Sequence, residues 1–200
     1  MSVARIRDAY AARAGEYIEL IGDIDAADQR DREQLLEWAQ SISGPIIDVG
    51  CGPGQWTDYL SRHDVDIVGI DPVSAFIAQA RRRHPDGDYR IGQADQLGAD
   101  DASLGGVLSW FSLIHLSPDQ IGEPLTEFAR CTRPGGGLAV GFFEGPELVP
   151  FDHAVTTAWF WPIDLLSSRI EQAGFEVTHA EVRTDRGVRR QGTIIARRRA

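Results

Sequence analysis

Three glycines at alternate positions, Gly50, Gly52 and Gly54, follow directly on the apolar run Ile46-Ile47-Asp48-Val49. The run is bounded upstream by Gly44-Pro45 and reads as a buried strand. Beyond the glycines, Trp56, Tyr59 and Leu60 recur at helical spacing, so the unit is strand, glycine turn, helix. Its chemistry is recognition: a turn without side chains lets a small ligand lie against bare backbone amides beside a helix N-terminus. Groups able to hold a charge or move a proton surround it in the sequence. Asp48 is a carboxylate inside an apolar strand, where a bare charge is costly. Asp71 ends a second apolar run, Asp66 to Asp71, and Asp95 follows a third. His115, His153, Glu144 and Asp152 are the candidates for a general base. All 20 cationic side chains are arginine, which rules out a lysine nucleophile or Schiff base.

These groups need elements to position them. Residues 4–20 carry a helical pattern with Tyr10 and Tyr17 seven apart on one face. Packing accounts for that pair as well as a ligand role does. A second helix is expected from Ala26 to Ile42, buried through Leu35, Leu36 and Trp38. After the first strand and its helix come the strand ending at Asp71, Pro72, and a helix through Phe76, Ile77 and Ala80. Asp88 to Gly92 is a short third strand, Leu104 to Trp110 a fourth, and a helix from Pro118 to Cys131 leads through Arg133-Pro134-Gly135-Gly136-Gly137 into a fifth, Leu138 to Phe143. Strands alternating with helices at this spacing imply a parallel sheet covered on both faces. Residues 144–161 read as an irregular insert rich in Pro and aromatics. A helix from Ile163 to Ala173 then precedes two strands joined by a short turn, which can pair only as an antiparallel hairpin. The expected fold is α/β: a doubly wound, Rossmann-like sheet, mainly parallel with a C-terminal antiparallel hairpin, with its ligand at the carboxyl ends of the strands.

Composition narrows the function. Two hundred residues with 42% apolar and 25% charged side chains suit one soluble domain. It divides into an N-terminal helical cap (1–44), a binding core (45–143), a substrate-side insert (144–161) and a terminal helix and hairpin (162–200). The formal charge of -10 disfavours a nucleic-acid binder, because the field repels phosphates. No stretch has the length of a membrane span and no signal-peptide core opens the chain. Cys51 and Cys131 read as reduced thiols of a cytoplasmic protein. No metal-ligand spacing is present.

Taken together, these residues resemble the class I S-adenosylmethionine-dependent methyltransferases, and within them the small-molecule enzymes that methylate quinones and natural products. The resemblance runs from Pro45 to Arg198. The family's first motif matches Ile46 to Gly54, its acidic second-strand motif Asp71, its third Ala94-Asp95, its fourth-strand segment Ser109 to Leu116 and its fifth-strand turn Arg133 to Leu138. It implies S-adenosylmethionine as cofactor and S-adenosylhomocysteine as product. Gly50, Cys51 and Gly52 would then offer backbone to the amino-acid end of the cofactor, with Gly54 allowing close helix packing. Asp48 would meet the ammonium through water or brace the turn. Asp71, followed by Pro72, would take the ribose hydroxyls; Asp95 would take the adenine amino group, with Ala94 or Gln96 presenting backbone to the ring. Tyr17 and Trp56 complete the expected cofactor contacts, and Ser109, Trp110 and Phe111 would close the fourth strand beside the sulfonium.

Methyl transfer is an in-line displacement that chiefly needs positioning and desolvation, with a base only where the acceptor loses a proton. His153, in the insert, is the first candidate for that base and His115 the second. Phe143, Phe151, Trp159, Phe160 and Trp161 surround the expected entrance, which favours an apolar or aromatic small-molecule acceptor; packing accounts for them equally. Two departures from neighbouring families matter. Gln55 stands where a dinucleotide motif has glycine, and Ser109-Trp110-Phe111-Ser112 lacks the Asn/Asp-Pro-Pro-aromatic pattern of amino-directed nucleic-acid methyltransferases. An NAD-dependent oxidoreductase and a catalytically silent cofactor-binding partner remain as alternatives.

Overall fold

The computed structural model describes residues 3–16, 22–185 and 187–200. Seven strands form one sheet in the order β3-β2-β1-β4-β5-β9-β8. They are β1 (Ile46–Val49), β2 (Ile67–Asp71), β3 (Asp88–Ile91), β4 (Leu104–Trp110), β5 (Thr132–Phe143), β8 (Phe175–Arg183) and β9 (Gln191–Arg198). The first five pair in parallel, and β9 lies antiparallel between β5 and β8. The order reverses at β1, the first strand of the chain. Its carboxyl end therefore opens into the crevice between the β2 and β4 sides, where open α/β sheets take their ligands.

Neighbouring residues of the central strands serve opposite faces, as a pleated strand requires. Ile46 and Leu108 pack with Leu35 and Trp38 of α2 (Gln29–Ser41) and with Trp56 and Leu60 of α3 (Gln55–Ser61). Ile47, Val49 and Val107 pack on the other face with Leu125 and Phe128 of α5 (Gly122–Cys131) and with Leu166 and Ile170 of α6 (Ile163–Gln172). Helix α4 (Ser74–Arg83) sits over β2 and β3 through Ile77 and Ala80 against Tyr89. Close approach explains one glycine outside the site: a Cβ on Gly137 would lie 2.4 Å from Ile42 Cδ1.

Three expectations change. The single helix from Ala26 to Ile42 is a short 3-10 turn, Ile24–Ala26, followed by α2, because the Asp28 carboxylate caps the backbone N–H of Arg30 and starts the helix afresh. The insert at 144–161 is not irregular: β6 (Val149–Asp152) and β7 (Thr157–Phe160) pair as an antiparallel hairpin. Its aromatics are largely spent on packing. Phe151 stacks on Phe160 at 4.1 Å, and Trp161 is buried. The N-terminal helix α1 covers Val3–Ala12, while Tyr17 lies outside the described residues.

Among the described residues no helix is long and apolar enough to cross a membrane, and no cluster of side chains could hold a metal. Cys51 and Cys131 are buried and unbridged. Phe128 is fully buried where α5 meets the sheet. Phe128→Ala should cost about 3–5 kcal/mol in urea unfolding, whereas truncating exposed Thr126 on the same helix should change stability by less than about 0.5 kcal/mol.

Candidate functional site

The turn after β1 is locked to the turn after β2. Asp71 ends β2 with its two oxygens divided: Oδ2 accepts from Gly52 N at 3.0 Å and Oδ1 from Val73 N at 2.7 Å, at the start of α4. Gly50 N and Cys51 N both donate to the Ile70 carbonyl, and Gly54 N donates to Cys51 O. Pro53 has no N–H. Every N–H from residue 50 to 54 thus has a partner within the protein, three of them on β2 and that of Gly54 within the turn, in place of the bare amides expected to face a ligand. The glycines are still required. Gly50, Gly52 and Gly54 all have positive φ, and a Cβ on Gly50 would sit 2.4 Å from Ser112 Cβ.

A turn with no spare N–H groups is a poor phosphate cradle. Its surroundings favour a cation instead. Asp48, on the strand face toward α3, accepts a 2.7 Å hydrogen bond from the Thr57 hydroxyl. Burial pushes its carboxyl up to about 7, with the nearby Asp71 charge adding to the shift against the Thr57 bond. Burial likewise pushes Asp71 up to about 6, against the two backbone N–H bonds it receives. Burial raises the Cys51 thiol far above its ordinary range, so it is no nucleophile.

Above this turn lies a cavity of about 790 Å³, at the upper end of the range for ligand sites. Asp48, Gly50, Cys51, Gly52, Trp56, Asp71, Pro72, Ala94, Asp95, Trp110, Phe111, His115 and His153 all border it. Three expected contacts do not. Gly54 is behind the turn, where a Cβ would strike Tyr89 at 2.7 Å. Gln96 closes a small bridge with Gln93 and so leaves Gln93 on the cavity wall. Ser109 is fully buried, its hydroxyl 2.8 Å from that of Ser112.

Aromatic rings follow one another along the cavity wall: Tyr10, His115, His153, Phe143, Phe111, Trp110 and Trp56. Consecutive ring centroids are 5.2 to 6.0 Å apart. Phe111 has a left-handed backbone, φ 55°, a strained conformation for an aromatic residue at the mouth of a parallel strand. Of the five aromatics expected at the entrance, only Phe143 borders the cavity; Phe151, Trp159, Phe160 and Trp161 belong to the hairpin and its packing. Glu144 is tied to Arg190 at 2.7 Å, and neither it nor Asp152 lines the cavity.

The two histidines differ in kind. His115 Nδ1 lies 2.8 Å from the Thr157 carbonyl and its Nε2 lies 2.6 Å from the Tyr10 hydroxyl, and burial pushes its pKa down to about 4. His153 is half-buried, its Nδ1 is shielded from solvent without a hydrogen-bond partner, and burial and then the Arg189 charge lower its pKa. It is the neutral, uncommitted imidazole of the site.

Tyr10 entered the sequence reading as half of a pair for which packing and a ligand role were equally open; its pairing with His115 spans 105 positions and left no local signal. The polar end of the cavity, where Arg183 meets Asp31 and Gln191, was missed altogether. Arg13 donates to the Ala154 carbonyl, tying the N-terminal segment to the hairpin.

Residues 46–136 match the family described as Methyltransferase domain. A demethylmenaquinone methyltransferase of Beutenbergia cavernae is 36% identical over 107 residues, 54% of this chain and 44% of that relative. The corresponding protein of Renibacterium salmoninarum is 31% identical over 124 residues, 62% of this chain and 52% of the relative. The chain thus spans about half the length of these curated relatives. In three dimensions it is similar to the 1,6-didemethyltoxoflavin-N1-methyltransferase of Burkholderia thailandensis, solved with 1,6-didemethyltoxoflavin and S-adenosylhomocysteine. The TM-score is 0.81 at 18% identity, covering 98% of this chain and 88% of the other. Residues 46–136 are thus similar in sequence to a methyltransferase domain, and the chain as a whole has the fold of that solved methyltransferase.

Proposed function

We propose that the cavity binds S-adenosylmethionine over the glycine turn and that the chain transfers its methyl group to a small-molecule acceptor held against the aromatic wall. The observation that carries this reading is the turn itself. Its N–H groups are all internal, and two buried carboxylates, Asp48 and Asp71, stand beside it with no cationic side chain paired to them among the described contacts. That arrangement suits a ligand bearing an ammonium and a sulfonium and opposes the pyrophosphate of a dinucleotide. The two relatives' names and the ligands in the toxoflavin enzyme point the same way.

The cofactor supplies an electrophilic methyl on a positively charged sulfur. The chain's own residues do the rest. Asp71, with its N–H bonds directed along only part of its lone-pair capacity, can still accept from ribose hydroxyls. Asp95 and Ala94 border the cavity on the β3 side, where the adenine would be read. Trp110 and Phe111 offer ring faces to the sulfonium, an attraction strengthened where water is excluded. Neutral His153 takes the proton of an acceptor that must lose one, and the surrounding rings desolvate the attacking atom.

Three measurements test these assignments. In calorimetry S-adenosylhomocysteine should bind and NAD should not; the reverse would make the chain a dinucleotide protein. Asp71→Ala should weaken S-adenosylhomocysteine binding by more than roughly tenfold, and unchanged affinity would remove the ribose role.

The second concerns pH. Asp48 and Asp71 have folded-state values raised to about 7 and about 6, so in the empty protein they favour folding below their unfolded pKa near 3.8 and lose that contribution as pH rises through 6 and 7. A cation stabilises their ionised forms. Affinity for S-adenosylmethionine should therefore rise between pH 5 and 7.5 with net proton release, and Asp48→Asn should remove the upper part of that rise.

The third uses methyl-labelled S-adenosylmethionine with a panel of phenols and ring N–H compounds. His153→Ala should lower transfer by roughly a hundredfold or more while leaving S-adenosylhomocysteine affinity unchanged; transfer at the parent rate would rule His153 out as base.

A further inference from the structure

We infer that Gln191 selects the acceptor: its side-chain amide donates to a carbonyl oxygen on a ring compound that lies against Phe143. This deepens the reading of the cavity as a joint cofactor and acceptor site, and rests on it.

The place of the acceptor follows from the strand order. The groups assigned to the cofactor run across the sheet: Asp95 follows β3, Asp71 ends β2, the glycine turn follows β1 and Trp110 ends β4. The next strands in that order are β5 and β9. At their cavity end three register partners form one row, Phe143 of β5 beside Gln191 of β9 and Gln191 beside Arg183 of β8. Directly paired residues share a face of the sheet, with Cβ atoms about 4.5–5.5 Å apart. All three border the cavity. Beside the row, Gly141 leaves room for rings: a Cβ there would lie 2.7 Å from Trp110 and 3.1 Å from Phe111. Aromatic surface therefore continues from Trp110 through Phe111 to Phe143 and stops at the Gln191 amide.

The carbonyl follows from which way that amide is turned. Arg183 Nη2 donates to Gln191 Oε1 at 2.5 Å. A guanidinium can only donate, which assigns the amide oxygen to the Arg183 side and the nitrogen to the other. Nε2 keeps two hydrogens and has no hydrogen-bond partner among the described residues. The neighbouring guanidinium is not open in the same way, because Asp31 and Asp185 already share it. Nε2 has no lone pair to offer, so what it takes from a ligand is an acceptor atom. A carbonyl oxygen at the edge of a ring packed along Phe143 meets it within one strand spacing. A bare hydrocarbon edge in the same place would cut the amide off from water and leave it unpaired, so the residue discriminates as well as binds.

Two probes share a bicyclic outline and a hydroxyl group: 7-hydroxycoumarin carries a carbonyl and 2-naphthol does not. Titrated by calorimetry into the protein saturated with S-adenosylhomocysteine, 7-hydroxycoumarin should bind roughly tenfold tighter than 2-naphthol. Gln191→Glu keeps an oxygen for Arg183 and removes both N–H groups, and Gln191→Met removes the amide without adding a charge. Each should erase the preference for 7-hydroxycoumarin while the affinities for 2-naphthol and S-adenosylhomocysteine stay at the parent values. A merely structural role for Gln191 would instead weaken both probes together. That result would overturn the inference, as would equal affinity for the two probes in the parent, binding of neither, or a preference that survives either substitution. Failure of S-adenosylhomocysteine itself to bind would sink the cofactor reading on which the inference stands.

Discussion

The Asp71 carboxylate is the point on which the site depends. One oxygen holds the turn after β1 through Gly52 and the other holds the turn after β2 through Val73. Two loops that lead into different helices are thereby fixed relative to each other at the sheet's switch point. The arrangement has a cost: a carboxylate buried this deeply favours its protonated form, and two backbone N–H bonds offset only part of that. Nearby Asp48 adds a second carboxylate with the same difficulty. A cationic ligand is the natural relief for both. The strain that the fold accepts in building the cradle is therefore also what would give it affinity.

The aromatic wall is assembled differently. Tyr10 comes from α1, His115 from the segment after β4, His153 from the loop of the β6–β7 hairpin, and Phe143 from the end of β5. None of these segments can shape the wall alone. The hairpin is joined to the body by backbone bonds, with Trp159 N donating to Ile114 O and Trp161 N to Phe143 O. Arg13 and Tyr10 then bring the N-terminal segment down onto it. The cradle is thus a product of rigid sheet geometry, while the acceptor side depends on side-chain contacts between distant parts of the chain.

That difference explains what could be read from the sequence. The order of strands, the terminal hairpin and the two faces of the sheet follow from local periodicity, and adjacent Ile46 and Ile47 serving opposite cores is its direct result. The positions of Gly50, Gly52 and Asp71 were legible because each is tied to the end of a strand. What the glycine turn does with its N–H groups was not, since the carbonyl and carboxylate that absorb them lie on β2, some twenty residues on. The aromatics of 144–161 misled for a related reason. Composition locates them in the insert, but only the pairing of β6 with β7 decides that Phe151 faces Phe160 rather than the cavity. The Arg183–Asp31 pair, 152 positions apart, has no local trace at all.

Charge gives the sharpest case of this limit. A formal charge of -10 says that the whole molecule repels anions at long range. Within a cavity the total matters less than the pairing, because a paired carboxylate and arginine nearly cancel while an unpaired buried carboxylate acts across the full width of the site. Counting residues cannot separate Asp31, which is neutralised by Arg183, from Asp48, whose described partner is a hydroxyl. The distinction appears only once the chain is folded. It assigns opposite roles to residues of one type: the paired aspartates build the wall, and the unpaired ones set the sign of what the wall encloses.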